Sequence, residues 1–381
     1  MRIVDLEPVI VHVNRRGDWV FVLVHTDEGI TGLGEASHSG NDALLVAALD
    51  QMKRRLKGQD PMQIRAIWEN LSDANAGRVW QTALSGLEQA LWDVTGQYLD
   101  VPMHILFGGA LRKQIRLYAN INRHVNERTS EGFARAARQA VDEGFTAVKL
   151  APFDEVNAPD RVRTGPGAAW RMGVERIRAV RQAIGEQVEL LVDCHGRFEA
   201  SEALLVAREL ADCRLYWFEE PVPDRYPEAL ERVTAGCEIP TAAAENAYGM
   251  EGFEPFLMRP TVDVIMPDVK HDGGLWETLQ IAGAARLRGV PVAPHNPAGP
   301  VATASTAQAV STISNLLILE YAWGEADWRA DLLEPRERIE AGHLVLPDGP
   351  GLGHRLNMDL VEAHRVVTPS ETSSARVQPT G

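Results

Sequence analysis

Cysteine is scarce in this 381-residue chain: Cys194, Cys213 and Cys237 form an odd set with no CxxC spacing. That excludes a disulfide framework and points to a reducing compartment. Long apolar runs are missing too. No stretch reaches the roughly 18 uninterrupted apolar residues of a membrane helix. The N-terminal MRIVDLEPVIVHV carries Arg2, Asp5 and Glu7 within its apolar run, which excludes a signal peptide. Positive charge is in deficit, with 38 Lys and Arg against 53 Asp and Glu and a formal net charge of −15. A nucleic-acid partner requires a basic face, so that class is excluded as well. The expectation is a soluble cytoplasmic protein.

What is present is ordinary core-forming material, 45% hydrophobic and 24% charged, in a chain long enough for two domains. Residues 3–13 and 19–25 have strand character across the turn-rich NRRGD. TDEGITGLGEAS reads as a further hairpin, punctuated by Gly29, Gly32 and Gly34. From about 41 to 98 the pattern is helical, with Leu84, Leu87, Leu91 and Val94 at steps of three to four. This predicts an α+β domain over 1–113.

Eight apolar segments then alternate with helical ones: 115–119, 146–150, 188–193, 215–219, 241–245, 262–267, 290–294 and 316–320. In GVERIRAVRQAIG, for instance, Val174, Ile177, Val180 and Ile184 make one apolar stripe. Such alternation predicts a parallel α/β barrel over 114–324, whose sites lie at the C-terminal ends of the strands. A segment over 325–381 is expected to return to the first domain, with a disordered tail from about 367. The Pro/Gly-rich interval after Leu150 is long for such a connection, and loops of that kind are more often functional.

Three carboxylates close apolar runs at equal intervals: Asp193, Glu219 and Glu245, each 26 residues from the next. An acid at the end of a buried strand is costly to desolvate without a positive partner. Three of them at one strand–helix period predict adjacent strands converging on one cation. An all-oxygen set without Cys favours Mg²⁺ over zinc. Glu220 competes with Glu219 for the lumen, since alternation admits only one of them.

His195, two residues past Asp193, is expected to point the same way in extended geometry, or else to be a histidine hydrogen-bonded at the rim. Cys194 between them is expected in the core. Asp268 and His295 close consecutive predicted strands. An Asp that accepts from an imidazole orients it as a general base. Glu320 could hydrogen-bond a developing anion or simply ion-pair. Lys149 could touch a substrate carboxylate or pair with Asp193. Asn120, Asn122 and His124, then His271, Asp272 and Arg197, and finally Trp170, Arg161 and Arg163 in the long loop, are weaker candidates by position alone.

Together these residues resemble the mandelate racemase-like branch of the enolase superfamily. The resemblance rests on the Asp193/Glu219/Glu245 set, the EEP and ENxxG contexts, PDxxxxGG followed by His295, and LPDGPGLG, and it covers nearly the whole chain. It implies a (β/α)7β TIM-type barrel with an α+β capping domain built from the N-terminal third and the C-terminal segment, a bound Mg²⁺ and a homo-oligomer. DCHGRF and PHNPAGP look most like the galactonate dehydratase type of sugar-acid dehydratase. By similarity His295, supported by Asp268, is the base, His195 the acid and Glu320 a hydrogen-bonding carboxylate.

Where racemases of the branch carry Lys-x-Lys, this chain has Lys149-Leu150-Ala151, which removes a second lysine base. Galactonate dehydratases have an asparagine at the Ala151 position. The implied reaction takes the proton alpha to the carboxylate of an acid sugar, stabilises the enediolate with Mg²⁺ and expels the beta-hydroxyl, giving a 2-keto-3-deoxy acid. The alternatives are an epimerase, racemase or cycloisomerase with the same first step, and a non-catalytic metal-binding homologue.

Overall fold

A computed structural model describes residues 1–15, 17–38, 40–73, 76–157 and 168–366. Arg161, Arg163, most of the long loop around them and the tail from 367 lie outside the described residues.

The N-terminal domain opens with an antiparallel meander, β1 (Ile3–Asn14), β2 (Gly17–Thr26) and β3 (Thr31–Glu35). Three helices cover one face: α1 (Asp42–Leu56), α2 (Ile64–Leu71) and α3 (Gly77–Leu99), followed by the single turn α4 (Met103–Leu106). The alternating side chains Ile10, Val20, Val22 and Val24 meet Leu49, Leu84, Leu87, Leu91 and Val94 in one apolar core. Gly29, at φ +81°, does sit in a turn, whereas Gly32 and Gly34 lie inside β3. Their role is close approach. A Cβ on either would stand 2.1 Å from a carbonyl oxygen of α3, on Ala90 and Gly86 respectively.

The second domain alternates β4 (Gln114–Asn120), α5 (Ser130–Asp142), β5 (Ala147–Leu150), α6 (Trp170–Ile184), β6 (Glu189–Asp193), α7 (Ala200–Glu209), β7 (Leu215–Glu219) and α8 (Pro227–Gly236). It continues through β8 (Thr241–Ala243), α9 (Gly249–Leu257), β9 (Val264–Ile265), α10 (Leu275–Leu287), α11 (Pro300–Val310) and β10 (Leu319–Tyr321).

Strands β4 to β9 pair in parallel in chain order. Single parallel bridges Ile265–Val292 and Val292–Leu316 carry the wall onward, and β10 pairs in parallel with β4. The ring is therefore closed, with eight staves and seven intervening helices among the described residues. The stave at 290–294 is reduced to one bridging residue because Pro291 and Pro294 have no N–H to donate. Tyr118, Leu191, Trp217, Met266 and Ile318 fill the lumen, so the barrel is a packed core rather than a pore.

Beyond it come β11 (Leu333–Glu334), β12 (Ile339–Glu340), β13 (His343–Val345), β14 (Arg355–Leu356) and α12 (Met358–His364). This segment serves both domains. β13 pairs antiparallel with the first half of β4, while Arg365 bridges Val11 of β1 and the Leu352 N–H reaches Asp93 of α3. Among the described residues no helix is long and apolar enough to cross a membrane.

Candidate metal centre and its flanking histidines

Parallel register brings the acids together. Asp193 and Glu219 end adjacent strands directly opposite each other, and Glu245 follows two residues after β8. One carboxylate oxygen from each lies within 4.8 Å of the other two. At all three strand ends the chain turns through a non-glycine residue with positive φ: His195 at 48°, Glu220 at 38° and Ala244 at 86°. Such residues cost roughly 1–3 kcal/mol each and cluster where a site must be held in shape. Here they turn the backbone at the barrel mouth. The turn also separates Glu219, inside the cluster, from Glu220, whose carboxylate accepts from Asn246 at 3.2 Å.

The charge around these acids is lopsided. Lys149 Nζ lies 2.6 Å from Glu219 and 3.0 Å from Glu320, so its partners are these two and not Asp193 as the sequence allowed. Trp217 Nε1 donates to Glu219 Oε2 at 2.8 Å, and Asn120 and the Asn296 N–H donate to the two oxygens of Glu320. Burial pulls the Lys149 ammonium down, but Glu219 and Glu320 hold it well above the usual lysine range. Burial, with Asp193 alongside, raises Glu219 well above the carboxylate range. Among the described residues one lysine and the His195 imidazole face four clustered carboxylates, which leaves an excess of negative charge. Glu245 Oε2 is moreover, among the described residues, buried without a hydrogen-bond donor, although His295 Nε2 stands 3.2 Å away. An oxygen-only, overcharged cluster with a free acceptor fits a hard divalent cation.

A histidine stands on each side. His195 is not extended as anticipated: the left-handed turn folds its ring back so that Nε2 meets Asp193 Oδ2 at 2.8 Å, while its N–H donates to Oδ1 at 2.8 Å. The Asp193 charge draws this imidazole up to about 9. Opposite, His295 Nδ1 lies 2.7 Å from Asp268 Oδ2. The tautomer that donates Nδ1–H to Asp268 leaves Nε2 as a proton acceptor turned toward Glu245. Asp268 is buried, which raises its carboxyl, yet Lys270 at 2.7 Å and the neighbouring histidines hold it well below the usual range.

The weaker candidates scatter. Asn122 accepts the Ala151 N–H at 2.6 Å and orders the loop start. His124 stacks edge-on against Trp323 on the outside. His271 is the exception, buried with Nδ1 on Thr82 and Nε2 3.7 Å from Asp268 Oδ2, whereas Asp272 caps its own turn through Gly274 and Thr278. Arg197 pins the long loop through the carbonyls of Asp154 and Val156. Trp170 is buried at the start of α6, and Cys194 is buried. Sequence reasoning passed over Lys270, Trp217 and Asn296. Trp217 had a usable signal, being two residues before Glu219 on one strand and so on the same face. A cavity of about 1140 Å³ lies elsewhere, between the first sheet and the C-terminal segment beside Leu33, Leu346 and Leu356.

Residues 132–360 match the enolase C-terminal domain-like family, and residues 4–108 the mandelate racemase/muconate lactonizing enzyme N-terminal domain. The chain is 36% identical over 361 residues to a D-xylonate dehydratase of Haloferax volcanii, covering 91% of this chain and 85% of the relative. It is 33% identical over 352 residues to a D-galactonate dehydratase of Verminephrobacter eiseniae, covering 90% of each. Among solved structures, a mandelate racemase/muconate lactonizing enzyme from Jannaschia superposes with a TM-score of 0.87 at 29% identity, over 97% of this chain and 98% of that one. A member of the enolase superfamily from Salmonella Typhimurium gives 0.87 at 26% identity, over 95% and 97%.

Proposed function

The chain belongs to the mandelate racemase/muconate lactonizing enzyme branch of the enolase superfamily, and from that premise we propose that it is an Mg²⁺-dependent hydro-lyase that dehydrates a sugar acid. The observation that carries this reading is the pair of unlike histidines on opposite sides of the Asp193–Glu219–Glu245 set, one in contact with a metal-site acid and one oriented by Asp268. The names of the two dehydratase relatives support it and make D-xylonate and D-galactonate the first substrates to try.

Asp193, Glu219 and Glu245 would hold the Mg²⁺, which when bound supplies Lewis-acid stabilisation of the negative charge that builds on a substrate carboxylate as its alpha proton leaves. The protein's own groups do the rest. His295 Nε2 takes the C2 proton, and Asp268, kept ionised by Lys270, stabilises the resulting imidazolium. The electron pair from the C2–H bond first delocalises onto the substrate carboxylate, and it then returns to form a C2–C3 double bond as the C3–O bond breaks. His195 gives its proton to the departing hydroxyl, which leaves as water, and the enol tautomerises to the 2-keto-3-deoxy acid. Asp193, 2.8 Å away, raises this imidazole toward the protonated form that an acid needs. Lys149, with Glu320 and Asn120, forms the wall beside the reacting carboxylate.

Ala151 puts no second base on the Lys149 face, which favours dehydration over a two-base racemisation. The test uses two variants in D₂O with Mg²⁺ and a turned-over acid sugar. His295→Asn is expected to abolish C2 hydrogen–deuterium exchange. His195→Asn is expected to retain exchange and lose water elimination. Exchange that persists without His295 refutes its role, and exchange without any loss of mass in the wild type moves the reading to epimerisation or cycloisomerisation. We also infer a cytoplasmic homo-oligomer; a monomeric mass by light scattering contradicts the assembly.

A further inference from the structure

We propose that Glu35 and Glu88, both in the capping domain, are positioning residues that set the His295–Asp268 pair by capping, across the domain boundary, the two barrel helices that follow it. α11 begins five residues after His295, and α10 begins seven residues after Asp268. Both have glycine at the N-cap, Gly299 and Gly274, so neither can cap itself with a side chain. The capping oxygens come from the other domain.

Glu35, the last residue of β3, accepts the Gly299 N–H at 2.7 Å and the Ala302 N–H at 2.8 Å. Ala302 is the third residue of α11, the position a capping side chain ordinarily serves. Glu88, in the middle of α3, accepts the Leu275 N–H at 2.8 Å and the Trp276 N–H at 3.1 Å. Glu35 is fully buried and Glu88 is 1% exposed. The two glycines leave room for this. A Cβ on Gly299 would stand 2.7 Å from Glu35 Oε2, and one on Gly274 would stand 2.3 Å from Glu88 Oε2.

A carboxyl bonded to N-terminal amides is held directionally, and those amides and the helix dipole favour its charged form against the burial that raises both groups, Glu88 to about 7. Each loop bearing half of the pair is therefore fixed at one end by its barrel strand and at the other by the capping domain. A pair separated by 2.7 Å between His295 and Asp268 needs both loops held together, because misplacement of about 1 Å can cost on the order of a hundredfold in rate. Asp93 supplies an internal contrast. It too is a buried carboxylate of α3 that accepts backbone N–H groups, but from Leu33 and Leu352, and it touches neither loop.

The inference takes its reaction from the proposed dehydratase activity, so the test pairs kinetics with readouts that need no substrate. Glu35→Gln and Glu88→Gln each keep the shape but turn an N–H donor toward an N–H donor. The expected result has three parts: faster amide exchange at 299–302 or 275–276, loss or upfield shift of the His295 Nδ1–H resonance in the metal-loaded protein, and kcat down about tenfold to a hundredfold with KM and Mg²⁺ affinity unchanged. Asp93→Asn is expected to leave the resonance and kcat alone.

Should Glu35→Gln not fold, Gly299→Ala presses on the same carboxylate and carries the same expectation. The proposal is overturned if the amides stay protected in both Gln variants, if they open while the imidazole resonance is unmoved, or if Asp93→Asn causes the same loss. A wild type that dehydrates nothing sinks the dehydratase reading while the amide and imidazole measurements still decide the clamp.

Discussion

Replacing Lys149 with methionine keeps the volume of the side chain and removes the one ammonium that, among the described residues, contacts Glu219 and Glu320. Lys149 is 1% exposed and both acids are fully buried, so water cannot take its place. Breaking a buried pair in this way costs about 3–5 kcal/mol, because a charge is left uncompensated. With an unfolding entropy of about 2.1 cal/mol/K per residue over 381 residues, the metal-free protein is expected to melt roughly 4–6 °C lower.

The same substitution should tighten the metal. Unit charges 4 Å apart interact by about 4 kcal/mol at an effective dielectric of 20, and a third of that is already tenfold in affinity. Differential scanning calorimetry of wild type and Lys149→Met, each titrated with Mg²⁺, reads both effects. The stabilisation by saturating Mg²⁺ is expected to be larger in the variant. A variant that melts with the wild type, or gains less from Mg²⁺, refutes the view that Lys149 offsets surplus negative charge at a cation site.

Trp217→Phe keeps a ring in the lumen but deletes the donor 2.8 Å from Glu219 Oε2, and is expected to weaken Mg²⁺ binding about tenfold by calorimetric titration; unchanged affinity contradicts that orienting role. Gly34→Ala drives a methyl to 2.1 Å from the Gly86 carbonyl and is expected to cost about 3 kcal/mol or more in urea unfolding, whereas a neutral result removes the close-packing argument for β3 against α3. For Asp93, burial pushes the carboxyl from 3.8 up to about 7 against the pull of the Leu352 and Leu33 N–H groups. A folded-state value above the unfolded one gives stability that is full below about pH 4 and is lost as pH rises to about 7. The advantage of wild type over Asp93→Asn should therefore shrink by roughly 3–4 kcal/mol across that window, and a pH-independent difference refutes the shift.

The period of the barrel was legible because buried parallel strands read as unbroken apolar runs, and the acids at their ends kept the same rhythm. Asp193, Glu219 and Glu245 were thus found by spacing alone, and they do converge. The reduced seventh stave was written in Pro291 and Pro294, though an apolar run conceals it. The backbone turn at His195 was not legible, since nothing in DCHG announces a left-handed histidine, and with it went the expected extended geometry. Lys149 stands on the expected strand, and of the two roles open to it the pairing with Asp193 is replaced by pairing with Glu219 and Glu320, because periodicity fixes a face and not which of several carboxylates on that face is nearest. Glu35 and Glu88 were invisible for a different reason: their partners lie 264 and 187 residues away, and a glycine N-cap reads as a missing cap until the other domain is in view.

Dehydration itself is read most directly from the mass of the product. Metal-free wild type, then the same protein with Mg²⁺, should be presented with a panel of sugar acids including D-xylonate and D-galactonate, and the products followed by mass spectrometry. The expected result is one or more acids lighter by one water and carrying a new 2-keto group, only when Mg²⁺ is present. Mg²⁺ bound at the three carboxylates with no acid on the panel losing water, or water lost equally without the metal, contradicts it.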